Sequence, residues 1–137
     1  MFSGLDEIKQ CLVGLFVLLL LTGGCNPTEV RLDGTHDGAQ KEIARGQVLF
    51  VTLESNPTTG YGWQVAEVDK SILRQVGDPE FKSSAQGNPP VVGTGGTQTF
   101  RFESVGAGTT TLKMIYVRPW EKDVPPVKTF TVQITVR

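Results

Sequence analysis

The stretch "KTFTVQITVR", residues 128–137, alternates between apolar and polar side chains. Its apolar positions are Phe130, Val132, Ile134 and Val136, and the polar positions between them are Thr131, Gln133 and Thr135. Successive side chains of a β-strand point to opposite faces, so this period places one set on a core and the other towards solvent. The stretch therefore predicts an antiparallel strand with one buried face.

The same alternation recurs in residues 47–55, 97–105 and 109–117. Shorter strands are expected at residues 39–45, 61–68 and 72–82, the last interrupted by "GDPE". About seven short strands in roughly a hundred residues predict an all-β fold, an immunoglobulin-like antiparallel β-sandwich. Trp63 lies near the start of one of these strands, and we interpret it either as a core anchor or as a contact residue.

An uncharged apolar run with the sequence "CLVGLFVLLLLT" occupies residues 11–22. It is shorter than the roughly 20 residues of a membrane-spanning helix and fits the apolar region of a signal peptide. It leads into "LLTGGC", which resembles the lipobox of bacterial lipoproteins, where the Cys is lipidated. We therefore expect a lipoprotein-type signal peptide at 1–24, a lipidated Cys25 with a flexible tether at 25–38, and one domain at 39–137. The alternative is an ordinary signal peptide in which Cys25 has no role.

A lipid on Cys25 predicts an exported, membrane-anchored protein. Residue 26 is Asn, not the Asp that favours inner-membrane retention in the enterobacterial pattern. We therefore expect the outer membrane, with the domain facing the periplasm or the cell exterior.

Charge and histidine content exclude several other classes. The chain has 13 basic and 14 acidic residues, which argues against a nucleic-acid partner or a polybasic membrane patch. Its single histidine, His36, has no second His or nearby Cys, so we interpret it as a solvated loop residue rather than a metal ligand. We expect no cofactor, no metal and a monomeric protein.

Three loops are unusually rich in Pro and Gly. If the seven strands, A to G, reverse direction in turn, the B–C, D–E and F–G loops lie at one end of the sandwich. These loops are residues 56–60, 87–96 and 118–127. Proline lowers the entropy lost when a loop is ordered, and Trp120 is a residue type common at interface hot spots. We interpret this end as a binding edge; the alternative is three ordinary connections.

The motifs "NPTTGYGW", "GTGGTQTF" and "RPWE" follow one another in this order on the β-patterned domain. Together they make residues 39–137 resemble the chagasin family of cysteine-peptidase inhibitors. The resemblance implies an immunoglobulin-like sandwich that inhibits papain-like cysteine peptidases. We expect the inhibition to be reversible and non-covalent, because the domain has no electrophile that could trap a thiolate and Cys25 lies far from the loops in sequence.

The resemblance also implies which residues touch the peptidase. The B–C loop would enter the active-site cleft at the catalytic thiol, with the D–E and F–G loops on its two sides. The implied contact residues are Asn56, Pro57, Thr58, Thr59, Gly60, Tyr61, Gly93, Thr94, Gly95, Gly96, Arg118, Pro119 and Trp120. The indole of Trp120 would pack on aromatic surface of the peptidase. The "VPP" extension at 124–126 is less characteristic of the family.

Two other functional classes fit the sequence less well. An enzyme would need a Cys–His or Ser–His–acid arrangement built on Cys25 or His36, both in the predicted tether, and Asp78 and Glu80 lie in a predicted exposed turn. We therefore expect no catalytic residues. A non-inhibitory adhesion or structural lipoprotein domain would explain the fold and the anchor but not the three motifs.

Overall fold

A computed structural model describes residues 28–84 and 95–137 of the chain. Within them nine strands follow one another: β1 (Glu29–Asp33), β2 (Gln40–Ile43), β3 (Val48–Ser55), β4 (Gly62–Glu67), β5 (Leu73–Gln75), β6 (Glu80–Ser83), β7 (Gly96–Ser104), β8 (Gly108–Val117) and β9 (Lys128–Val136). Short 3₁₀ helices at Gly34–His36 and Pro57–Thr59 complete the regular structure of these residues.

The strands form two sheets. One has the order β1-β3-β7-β5, with β6 also paired to β7, and the other has the order β2-β9-β8-β4. Most pairs are antiparallel, but β1 runs parallel to β3 and β2 runs parallel to β9. The expected all-β sandwich is confirmed, and its sheets are mixed rather than purely antiparallel.

The core lies between the sheets and contains the side chains that the alternation assigned to the inner faces. The buried set from the four long strands is Leu49, Val51, Leu53, Phe100, Phe102, Leu112, Met114, Tyr116, Phe130, Val132, Ile134 and Val136. Trp63 is only 7% exposed, and its Nε1 donates to the carbonyl of Glu54 at 2.8 Å. Of its two interpretations, the core anchor is confirmed.

The strand count differs from the expected seven for two reasons. The predicted strand at 72–82 is divided into β5 and β6, which pair with different parts of β7. In addition, β1 lies inside the segment predicted to be a flexible tether. Leu32 of β1 is 3% exposed, and the strand pairs with β3 along its whole length. The ordered domain therefore begins at least ten residues before residue 39.

Between β1 and β2 the chain crosses from one sheet to the other. Asp33 caps the 3₁₀ helix by accepting from Thr35 N at 2.9 Å and from the Thr35 hydroxyl. These hydrogen bonds hold the pKa of Asp33 below its ordinary value. His36 was interpreted as solvated, but its side chain is only 29% exposed and its Nδ1 accepts from Asp33 N at 3.1 Å. The crossover is thus an ordered turn rather than a loose linker.

The predicted signal peptide and Cys25 lie outside the described residues. In residues 28–84 and 95–137, no helix has the length and apolar character required to span a membrane.

We expect Leu32→Ala to lower the free energy of unfolding by about 2–5 kcal/mol, because the truncation leaves a cavity between β1 and the core. Glu29→Ala is the matched control on the same strand. It removes an exposed ion pair with Arg31 and should cost no more than about 1 kcal/mol. Urea unfolding of residues 26–137 measures both. If both variants change the free energy of unfolding by an equal, near-zero amount, β1 does not contribute to the folded domain and the prediction of a flexible tether stands.

Candidate functional site

Strand register brings the three loops to one end of the sandwich. Ser55 at the end of β3 lies opposite Gly96 at the start of β7, so the B–C and D–E loops adjoin. Gly62 at the start of β4 lies opposite Val117 at the end of β8, so the B–C and F–G loops adjoin as well. We call this the loop end. Gly93 and Thr94 fall outside the described residues, whereas the other predicted contact residues all lie at the loop end.

The B–C loop is a closed, internally bonded turn. The side chain of Asn56 accepts from Thr58 N at 3.2 Å and from the Thr58 hydroxyl at 2.5 Å. The Thr59 hydroxyl donates to the carbonyl of Asn56 at 2.6 Å. Gly60, with φ of 83°, ends the turn in the left-handed region that favours glycine. Both threonine hydroxyls therefore donate within the loop, which leaves their oxygens as acceptors towards a partner.

Three neighbouring aromatic rings connect the loop end to the core; Tyr61 stacks on Tyr116, and Trp63 is tilted against it. Trp63 lies 5.1 Å from Tyr116, measured between ring centres, and Tyr116 lies 5.4 Å from Tyr61. We call these three residues the aromatic column. The hydroxyl of Tyr116 accepts from Asn56 N at 2.9 Å. The aromatic column thus packs between the B–C loop and the core, and its Tyr116 hydroxyl fixes Asn56, the first residue of the loop.

Trp120 is presented to solvent beside the B–C loop. The residue is 66% exposed, which excludes a core role. A Cβ atom added to Gly60 would lie 2.2 Å from Cη2 of Trp120, so the indole rests directly on the glycine. Only a residue without a side chain permits this approach.

Exposed apolar side chains concentrate on the F–G loop. Among the described residues, the large hydrophobic side chains that are most exposed are Phe81, Trp120, Val124 and Val127. Three of them belong to the F–G loop, which includes the "VPP" extension. The exposed apolar side chains of the loop end are therefore concentrated on this loop.

A separate cleft of about 730 Å³ lies between β3 and β9, beside the crossover. Its apolar floor is formed by Leu53, Trp63 and Phe130, each of which is less than a tenth exposed. In the described part of the chain, no group of three or more His, Cys, Asp or Glu side chains is arranged to hold a metal ion.

A profile of the Chagasin family peptidase inhibitor I42 matches residues 42–134. The chain belongs to the chagasin family. The match spans most of the domain and includes the B–C loop, the D–E loop and the F–G loop. Because the family consists of peptidase inhibitors, membership also supports the expectation that the protein is not an enzyme.

Individual relatives agree with this assignment. Chagasin of Trypanosoma cruzi is 31% identical over 102 residues, covering 72% of this chain and 90% of the relative. Amoebiasin-2 of Entamoeba histolytica is 29% identical over 125 residues, covering 90% of this chain and 97% of the relative. The crystal structure of a cysteine protease inhibitor from Entamoeba histolytica superimposes with a TM-score of 0.70 at 27% identity, covering 80% of this chain and 96% of that chain.

We expect Gly60→Ala to displace the Trp120 indole, because the added methyl group overlaps the ring. Gly46→Ala is the matched control: Gly46 also has a positive φ, of 90°, but nothing lies within 4 Å of its added Cβ. Both changes should cost about 1–2 kcal/mol of backbone strain. Only Gly60→Ala should shift the indole N–H signal of Trp120 in a ¹H–¹⁵N spectrum. The same shift in both variants would contradict the contact.

Proposed function

We propose that this protein is a reversible, non-covalent inhibitor of papain-like cysteine peptidases that inserts its loop end into the active-site cleft. The observation that carries the proposal is the convergence of a rigid B–C loop and an exposed Trp120 on one edge of a member of a peptidase-inhibitor family. A stiff convex edge can fill a cleft without reactive groups, since binding follows from shape and buried area.

The B–C loop is the proposed plug. Its exposed residues Pro57, Thr58 and Thr59 form the tip, and they carry no charge into a site that binding removes from water. Gly95 and Gly96, with the neighbouring Gly93 and Thr94, would line one side of the cleft. Pro119 and Trp120 would line the other side, where the indole supplies a large rigid contact.

The 3₁₀ turn supports a mechanism without cleavage. Pro57 and the hydrogen bonds of Asn56 hold the backbone in a closed turn rather than an extended strand. A peptide bond held in this way does not meet the alignment that attack by a thiolate requires. The three loops also contain no cysteine that could form a disulfide with the enzyme.

The test uses papain and a papain variant whose catalytic cysteine is replaced by alanine. Residues 26–137 should inhibit papain, and calorimetry should give nearly the same affinity for the thiol-less enzyme. Mass spectrometry should recover the inhibitor intact after long incubation with active papain. Binding that requires the thiol, or a covalent adduct, would overturn the non-covalent plug.

The two tryptophans supply matched variants for the same assay. Trp120→Ala should weaken inhibition roughly thirtyfold or more while the thermal midpoint stays unchanged, because the indole is exposed in the free protein. Trp63→Ala should instead destabilise the fold by about 3–5 kcal/mol, because this ring is buried. If Trp120→Ala lowers the thermal midpoint but leaves inhibition unchanged, Trp120 is not the residue that dominates binding.

We also propose that Cys25 is lipidated and anchors the protein to the outer membrane. The sequence "LLTGGC" supports lipidation. Glu29, the first residue of β1, pairs with Val48 at the far end of β3 from the B–C loop. Seven residue-to-residue steps along β3 separate this point from Ser55 at the loop end, a distance of about 23 Å at 3.3 Å per step. An anchor at Cys25 would therefore leave the loops facing away from the membrane.

For this proposal we expect Cys25→Ser to move the protein from the membrane fraction to the soluble fraction in a bacterial host. The unchanged chain should incorporate labelled fatty acid, whereas the variant should not. Recovery of unlabelled, wholly soluble wild-type protein would contradict the proposed lipid anchor but would not affect the proposal that the protein is an inhibitor.

A further inference from the structure

The guanidinium of Arg118 is held on three sides within the protein. Its Nε donates to the carbonyl of Thr59 at 3.0 Å, and its Nη1 donates to Oε1 of Glu121 at 3.0 Å. Its central carbon lies 4.3 Å from the centre of the Tyr61 ring, which is a cation–π contact. One edge of the group thus reaches the B–C loop, another reaches the F–G loop, and one face rests on the aromatic column.

We infer that Arg118 is a positioning residue that locks the B–C and F–G loops together, and that it acts on the peptidase through these loops rather than by direct contact. This inference rests on the proposed inhibitory function. It changes the role that the family resemblance implies for Arg118, from contact residue to the element that holds the contacts in place.

The chemistry of the position favours arginine in particular. A planar guanidinium can direct Nε to a carbonyl while its face stacks on a ring, whereas a lysine ammonium on a flexible chain cannot make both contacts at once. Tyr61 is itself stacked on Tyr116, a buried residue of β8. Arg118 therefore fixes the carbonyl of Thr59 relative to the core and not merely relative to another mobile loop.

Both the backbone and the side chain of Arg118 hold the turn that carries Trp120, and the side chain does so through its hydrogen bond from Nη1 to Oε1 of Glu121. Glu121 N donates to the carbonyl of Arg118 at 3.1 Å, which forms the tight turn that carries Trp120. The indole then rests on Gly60, the residue next to Thr59. If Arg118 releases Thr59 and Glu121, both loops gain freedom that binding must remove again. The binding-competent fraction of the free inhibitor then falls, and the association rate falls with it.

Arg118→Lys tests the inference because it keeps the positive charge but removes the planar guanidinium, and with it the paired hydrogen bonds and the packing on Tyr61. In the free protein we expect lower ¹H–¹⁵N heteronuclear NOE values for the amides of Thr59 and Gly60 and for the indole of Trp120, with the thermal midpoint unchanged. Against papain we expect inhibition about tenfold weaker, mainly through slower association. Arg74→Lys is the matched control, since Arg74 pairs with Glu103 on the exposed face of β5 and β7. It should change none of these quantities.

A double-mutant cycle with Trp120→Ala separates the two roles of Arg118. If Arg118 acts by positioning Trp120, its substitution should weaken inhibition less in the Trp120→Ala background than in the wild type. Unchanged NOE values together with additive losses would make Arg118 a direct contact and overturn the inference. If wild-type protein does not inhibit papain, the proposed function fails for that enzyme, while the NOE values of the free variants still confirm or overturn the locking of the loops.

Discussion

The stacking of Tyr61 on Tyr116 is the contact on which the loop end depends. Tyr116 lies near the end of β8, an inner strand of one sheet, and its hydroxyl accepts from the backbone of Asn56, which follows a strand of the other sheet. One side chain thus links the two sheets where the loops emerge. Tyr61 stacks on the outer side of Tyr116. Arg118 lies over the Tyr61 ring and donates a hydrogen bond to the carbonyl of Thr59. The B–C and F–G loops are therefore held in place by side chains that pack on the core.

This arrangement would allow a small surface to serve as the proposed binding edge. Ordering a loop on binding costs conformational entropy, and a loop that is already ordered avoids most of that cost. The B–C loop is ordered by its own hydrogen bonds and by contacts to two neighbours. Trp120 adds a large side chain whose position is restricted by Gly60. The Trp120 side chain thus has a defined position although the residue is 66% exposed.

Alternation predicted the long strands because each has two to four successive inward positions filled by large apolar residues. It missed β1, whose sequence "EVRLD" buries only Leu32, so that pairing with β3 decides its conformation. The loop end could be inferred from the order of strands, since the end at which each connection lies follows from the reversals. The stacking of Arg118 on Tyr61 could not, because it depends on Gly62 and Val117 being opposite each other across β4 and β8. Nor does the sequence reveal that Thr58 and Thr59 donate their hydroxyl protons within the loop.

That last feature bears on how a polar loop could enter a dry cleft, as the proposed inhibition requires. A hydroxyl moved out of water without a partner costs free energy, whereas one that already donates to an acceptor has lost its water partner before binding. Thr58 and Thr59 donate to the side chain and the carbonyl of Asn56, so both donors stay satisfied wherever the loop goes. Their remaining demand is for donors from the partner, and an active site that stabilises developing oxyanions presents such donors. A loop with satisfied donors and free acceptors is therefore chemically matched to that environment, in addition to being stiff enough to reach it.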